Sequence, residues 1–210
     1  MYLNRLLVLG SFALGICAAQ DHTPKPKVSK DPLTTEQIAV YRAVLENYMK
    51  DSPGSLNLAV RTEPLEQSEP FFDKACVREL ELESIANPIQ VIHVLTAAVA
   101  PSSAKIVLVD PARQQKKVNE NDPQKVVNKA IEGHEKVTKK ELDASVERAF
   151  STGLLTLSEV VFDKQSRHAV VAYSFVCGGL CGHGSTLMLT KVGQNWKVSK
   201  PCGGWISRTS

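Results

Sequence analysis

The densest alternation of apolar and polar positions lies in the last third of the chain, LSEVVFDKQSRHAVVAYSFVCGGLCGHGSTLMLTKVGQNWKVSKPCGGWIS, residues 157 to 207. Three alternating runs are separated by one glycine-and-cysteine loop and one short polar turn, the pattern of an antiparallel meander. From His168 to Cys177, Ala169, Val171, Tyr173, Phe175 and Cys177 share one face, and Val170, Ala172, Ser174 and Val176 share the other. Both faces are rather apolar, so this strand is expected to be central and covered on both sides. Leu187 and Leu189 continue a core face on the next strand, and Trp196 and Val198 on the last.

Upstream the period changes to that of helices. Thr34 and Gln37 match a capping box, and Ile38, Tyr41, Val44, Leu45, Tyr48 and Met49 follow on one helical stripe that should end near Lys50, before Ser52-Pro53-Gly54. Leu56 to Thr62 alternates as a short strand, and the stretch EPLEQSEPFF, then ACVRELELES, has no legible element. Ile89 to Ala97 fits helix or strand, whereas Lys105 to Val109 is a β-branched strand closed by Asp110-Pro111. Asp122-Pro123 opens a helix with the stripe Val126, Val127, Ala130 and Ile131. Thr138 to Glu141 is a second capping box, and the buried face of its helix should be Leu142, Val146, Ala149 and Phe150. The expected fold is α+β: a single domain over residues 34 to 210, an antiparallel β-meander sheet with helices near 35 to 50, 123 to 134 and 139 to 150 packed on it.

The first 19 residues change the picture of where this domain resides. Arg5, the apolar run Leu6 to Ile16 and the small residues Cys17, Ala18 and Ala19 form a secretory signal peptide with cleavage near Ala19. Lipid attachment at Cys17 is the competing reading, against which stands the bulk of Ile16. Residues 20 to 33 read as a disordered, proline-rich spacer. No later apolar run reaches the ~20 residues of a membrane span. The expectation is a secreted or periplasmic protein with no transmembrane segment in the mature chain. Without Arg5, 24 of the 25 basic residues face 22 acidic ones, a balance too even to imply a nucleic-acid partner. The eight basic residues between 113 and 141 are interleaved with acids and read as a solvated helix face.

Export gives the four remaining cysteines, Cys76, Cys177, Cys181 and Cys202, an oxidising setting and makes two disulfides the expectation. Three pairings are possible; geometry favours Cys177 with Cys181 and Cys76 with Cys202. The meander brings Cys177, Cys181 and Cys202 to one end of the sheet, so the sharper alternative is a zinc site of Cys177, Cys181, His183 and Cys202. His183 by itself reads as an exposed loop residue. His93, in an apolar run, reads as a hydrogen-bonded core residue, and His134 and His168 as surface. Glu159 and Asp163 share a face and could approach a ligand together, against the simpler reading of strand-end solvation. There is no phosphate-binding glycine loop and no His-Glu-x-x-His.

Ser158-Glu159-Val160-Val161-Phe162-Asp163, His168 to Tyr173, the CGGLCGHG of residues 177 to 184, Lys191 to Val198 and Trp205-Ile206-Ser207 together resemble the C-terminal segment of a family of uncharacterised exported bacterial proteins. That shared segment runs approximately SRVGFN, QALVYV, CGxLCGxG, GxWKV and WVS. Glu159 stands where the family has a basic residue and Val161 where it has glycine. In those relatives the two loop cysteines come and go together, which implies that Cys177 and Cys181 pair. The resemblance implies an exported fold and carries no activity.

The leading expectation is therefore a non-enzymatic binding or envelope-associated module, with no cofactor and with an envelope or protein partner. The alternative is a metal-dependent or thiol enzyme centred on residues 177 to 183, and a third reading is a hydrolase or hydrolase inhibitor using a cleft at the sheet end.

Overall fold

The computed structural model describes residues 26–51, 54–65, 73, 76, 91–134, 136–179 and 181–206, with backbone alone at 51, 205 and 206. The expected signal peptide with Cys17, residues 20 to 25 of the expected spacer, most of the stretch from 66 to 90 and Ser207 lie outside the described residues. The remainder of the spacer departs from expectation. Lys27–Val28 is a strand, β1, pairing in parallel with β3, Val91–Ile92, and Ser29 N donates to Ile92 O at 2.8 Å. Backbone pairing, which ignores side-chain polarity, orders this polar segment.

Helix α1 spans Thr35–Asp51. Its start is the expected capping box: Gln37 Oε1 accepts from Thr34 N at 2.9 Å and Thr34 Oγ1 accepts from Gln37 N at 3.2 Å. The apolar stripe is buried through Val40, Tyr41, Val44, Leu45 and Tyr48. Beyond it come β2 (Ser55–Ala59), a one-turn 3-10 segment at Ala97–Val99, β4 (Lys105–Val109), and helices α2 (Pro111–Glu120), α3 (Gln124–Gly133) and α4 (Lys139–Thr152). The strands β5 (Leu154–Leu157), β6 (Val161–Phe162), β7 (His168–Gly178), β8 (Cys181–Val192) and β9 (Asn195–Ile206) complete the chain.

Seven strands form one sheet in the order β4-β2-β5-β7-β8-β9, with β6 beside β7. The meander β7-β8-β9 is antiparallel, as is the β5-β7 pair. The other end of the sheet is not: β2 runs parallel to both β4 and β5. A parallel neighbour needs a long crossover, and the helical layer from α2 to α4 supplies one between β4 and β5. The α+β class holds, with a mixed and mostly antiparallel sheet.

On one face α1 packs against Leu58, Leu155, Leu157, Ala169, Val171, Phe175, Cys177, Leu187 and Leu189. The opposite face carries two smaller clusters, Val118 of α2 with Ala59 and Leu154, and Val161, Val170 and Met188 with Leu65, Cys76 and Cys202. The central strand β7 is thus covered on both sides by its two alternating sets of side chains.

Helix α2 was not expected. Asp110 caps it, its carboxylate accepting from Arg113 N at 2.9 Å, with Pro111 in the first turn; the Asp-Pro pair that ends β4 also starts the helix. Helix α4 begins at the predicted capping box of Thr138 and Glu141, but of the predicted buried face, Leu142, Val146, Ala149 and Phe150, only Ala149 is buried. Ser145 and Ala149 are buried, while Leu142, Val146 and Phe150 are 38%, 36% and 54% exposed. Small side chains let the helix lie close to its neighbours, which rotates the large apolar stripe toward solvent.

Candidate functional site

The cysteines are paired as two disulfides, Cys177 with Cys181 and Cys76 with Cys202, at Cα separations of 5.1 and 5.5 Å. The first closes the β7-β8 hairpin. Strand β8 begins at Cys181, so His183 and Gly184 belong to a strand and not to the expected loop. Gly178 has φ 138°, and a Cβ there would come within 2.6 Å of Asp122 Oδ1, so the hairpin seats its turn on the start of α3 only because glycine occupies this position. The Asp122 carboxylate holds both sides of that contact, accepting from Gly179 N at 2.9 Å and from Gln124 N at 3.0 Å.

The three cysteines do not meet at one sheet end. Ser185 pairs with Gly204 and Leu187 with Pro201, which sets Cys202 well along β8 from Cys181. Cys202 packs with Cys76 in the smaller cluster on one face, while Cys177 packs in the main core on the other. The set Cys177, Cys181, His183 and Cys202 is therefore not assembled, and its thiols are consumed by the disulfides. Among the described residues no three His, Cys, Asp or Glu side chains are grouped to hold a metal.

His183 is half-buried among rings. It stacks on Tyr48 at 5.7 Å between centroids with an interplanar angle of 8°, meets Tyr173 edge-on at 6.0 Å and lies 5.5 Å from Phe175. Burial lowers its pKa, which keeps the ring neutral.

The two carboxylates read as strand-end solvation are both buried, Glu159 at 2% and Asp163 at 6% exposure. Each holds a histidine. Asp163 Oδ2 accepts from His168 Nδ1 at 2.9 Å, and its Oδ1 from Arg167 N and His168 N at 2.7 and 3.1 Å, closing the turn between β6 and β7. Burial by itself would raise the Asp163 pKa, but these bonds outweigh it and hold the carboxyl below its ordinary range. His168 is thus half-buried, where a surface position was expected; His134 is exposed at the end of α3, with φ 51°.

Glu159 sits beyond the carboxyl end of β5. Its Oε1 accepts from His93 N at 2.8 Å and from Thr62 Oγ1, and the two carboxylate oxygens lie 3.0 and 2.9 Å from His93 Nδ1. His93 N also donates to Thr62 Oγ1 at 2.7 Å. Tyr41 OH donates to Ser158 O at 3.0 Å, and its pKa is raised well above the ordinary value by burial and by the Glu159 charge. The backbone explains the convergence. Strand β2 continues past its partner β4 and pairs next with the 93–95 segment, through Arg61 opposite Val94, and with Ser158 through Glu63. The site therefore lies where the parallel strands β2 and β5 end and a neighbour changes, the position at which open sheets with parallel strands form ligand crevices. The sequence signal was present in part, since His93 reads as a hydrogen-bonded core residue. Its partner is 66 positions away, out of reach of any local pattern.

A separate groove of about 570 Å³ runs between α1 and the β8-β9 turn. Ala39, Ala43, Trp196 and Val198 give it apolar surface, and Arg42, Glu46, Lys50 and Lys197 charge. One wall is fixed by Glu36 at the start of α1, which accepts from Lys191 Nζ at 2.6 Å and from Trp196 Nε1 at 2.8 Å. Those two bonds, from Lys191 and then Trp196, lower the Glu36 pKa. Among the described residues no helix is long and apolar enough to cross a membrane. Compared with known proteins, the chain matches no family model, no curated protein and no solved structure.

Proposed function

We propose that the protein is an exported binding or envelope-associated module whose ligand seat is the groove between α1 and the β8-β9 turn. The groove carries the reading. It sets the apolar side chains of Ala39, Ala43, Trp196 and Val198 beside the charged groups of Arg42, Glu46, Lys50 and Lys197, so one concave surface offers a ligand both apolar and ionic contacts. Export is supported by the leader-like first 19 residues, by two disulfides of the kind found in oxidising compartments and by the resemblance of the C-terminal segment to exported bacterial proteins.

The test is a thermal-shift panel of envelope glycans, peptides and lipid headgroups against the oxidised protein and its Asn47→Trp variant, which fills the groove. A compound that raises the melting temperature of the parent and not of the variant places its site in the groove. Compounds that act equally on both, or none that acts, refute the assignment.

A further inference from the structure

We propose that His93 is a general base for the hydrolysis of neutral carboxylic esters, with Glu159 as its positioning residue. The inference concerns a different place from the groove and adds a reaction to a binding role.

Glu159 fixes the ring and its tautomer together. A carboxylate facing Nδ1 at 2.9 and 3.0 Å accepts a hydrogen bond, so the proton of the neutral imidazole resides on Nδ1 and the lone pair on Nε2. Nε2 has no hydrogen-bond partner among the described residues, and the His93 side chain is 15% exposed against 3% for that of Glu159. The carboxylate is thus inside and the free nitrogen is on the side that solvent reaches. Tethering the 93–95 segment does not require the ring, because the backbone N–H of His93 already bonds both Glu159 and Thr62, and Leu95 N bonds Val60 O. What the ring adds is a base with a fixed lone pair and a buried negative charge behind it.

That charge selects the substrate. When Nε2 gains a proton, the imidazolium faces Glu159 and is stabilised. An anionic substrate would instead approach a carboxylate to which no lysine or arginine among the described residues is bonded: Arg61 neighbours Thr62 in an extended segment and so projects to the opposite face. A neutral acyl compound meets no such repulsion. In the reaction, water gives a proton to Nε2 as its oxygen bonds to the acyl carbon and the carbonyl electron pair moves onto oxygen. Collapse of that adduct breaks the bond to the leaving oxygen, which takes the proton from Nε2. Ester and water become acid and alcohol, His93 is regenerated, and nothing is oxidised or reduced.

The experiment uses 4-nitrophenyl acetate and the full oxidised chain, with His93→Gln and Glu159→Gln, each checked for native circular dichroism. The expected result is a fall of about 10²-fold in turnover for His93→Gln, the contribution typical of one general base. Glu159→Gln should also lower turnover, and ring 15N NMR at one fixed pH should show His93 losing its single Nδ1–H tautomer in that variant, a change that a merely structural carboxylate would not cause. Because a buried variant can fail to fold, the parent is also treated with diethyl pyrocarbonate, and loss of turnover should track modification of His93 measured by peptide mass. Turnover within twofold of the parent in His93→Gln, or turnover that survives full modification of His93, overturns the proposal.

Discussion

Glu159 receives both the backbone N–H and the ring Nδ1 of His93, at 2.8 and 2.9 Å, from a position 2% exposed to solvent. One buried carboxylate thereby ties the 93–95 segment to the ends of β2 and β5. Replacing it by glutamine turns one acceptor oxygen into a donor amide that faces other donors. Glu159→Gln is expected to lower unfolding free energy by about 2–4 kcal/mol, as the loss of a buried, charge-assisted network does. Urea unfolding of the oxidised protein measures it.

Asp163 carries a pH dependence of definite sign. Its carboxyl titrates below its ordinary value in the folded chain, so the unfolded chain binds the proton first as pH falls. The stabilisation is present above about pH 4 and is lost as pH drops through the folded pKa. Asp163→Asn should remove it, so that parent and variant converge in stability toward pH 2 and diverge above pH 4 in chemical unfolding.

His183 acts in a higher window. Burial depresses its pKa, and the unfolded imidazole, near 6.5, takes up a proton before the folded one. Stability is full above about pH 6.5 and declines as pH falls below it. His183→Gln should flatten the pH dependence of stability just below about pH 6.5, while the slope due to Asp163 stays.

The two disulfides should contribute unequally. Cys76 and Cys202 are 126 positions apart and Cys177 and Cys181 only 4. Loop-closure entropy assigns about 4–5 kcal/mol to the first and about 2 kcal/mol to the second. Double alanine replacement of each pair, compared by guanidinium unfolding, checks the order.

On α4 the exposed and buried faces give opposite expectations. Val146→Lys should change stability by less than about 0.5 kcal/mol, as surface substitutions do. Ala149→Leu should cost about 1–3 kcal/mol by overpacking a site that is fully buried.

These residues also show what local sequence carries. The meander, both capping boxes and the β4 strand follow from period, cap and turn chemistry within a few residues, and each is where the sequence puts it. The face of α4 follows only at Ala149, because the large apolar residues Leu142, Val146 and Phe150 also satisfy the helical period, while contact is decided by how closely Ser145 and Ala149 allow the helix to approach. The parallel pairing of β2 depends on crossovers that no period reports. For the same reason Glu159 and Asp163 look like polar strand ends. Their burial is compensated by partners that no local pattern reports: the His93 ring and backbone with Thr62 for Glu159, and the His168 ring with two backbone N–H groups for Asp163.

The order of the sheet sets a timetable. Strand β2 pairs with β4 and β5, which begin at residues 105 and 154, so an early strand must wait for later chain before either edge is covered. Distant pairing of this kind slows closure. In a chain emerging from its amino terminus, both backbone edges of β2 stay open until β4 and then β5 are made, so its N–H and C=O groups wait unpaired for most of the synthesis.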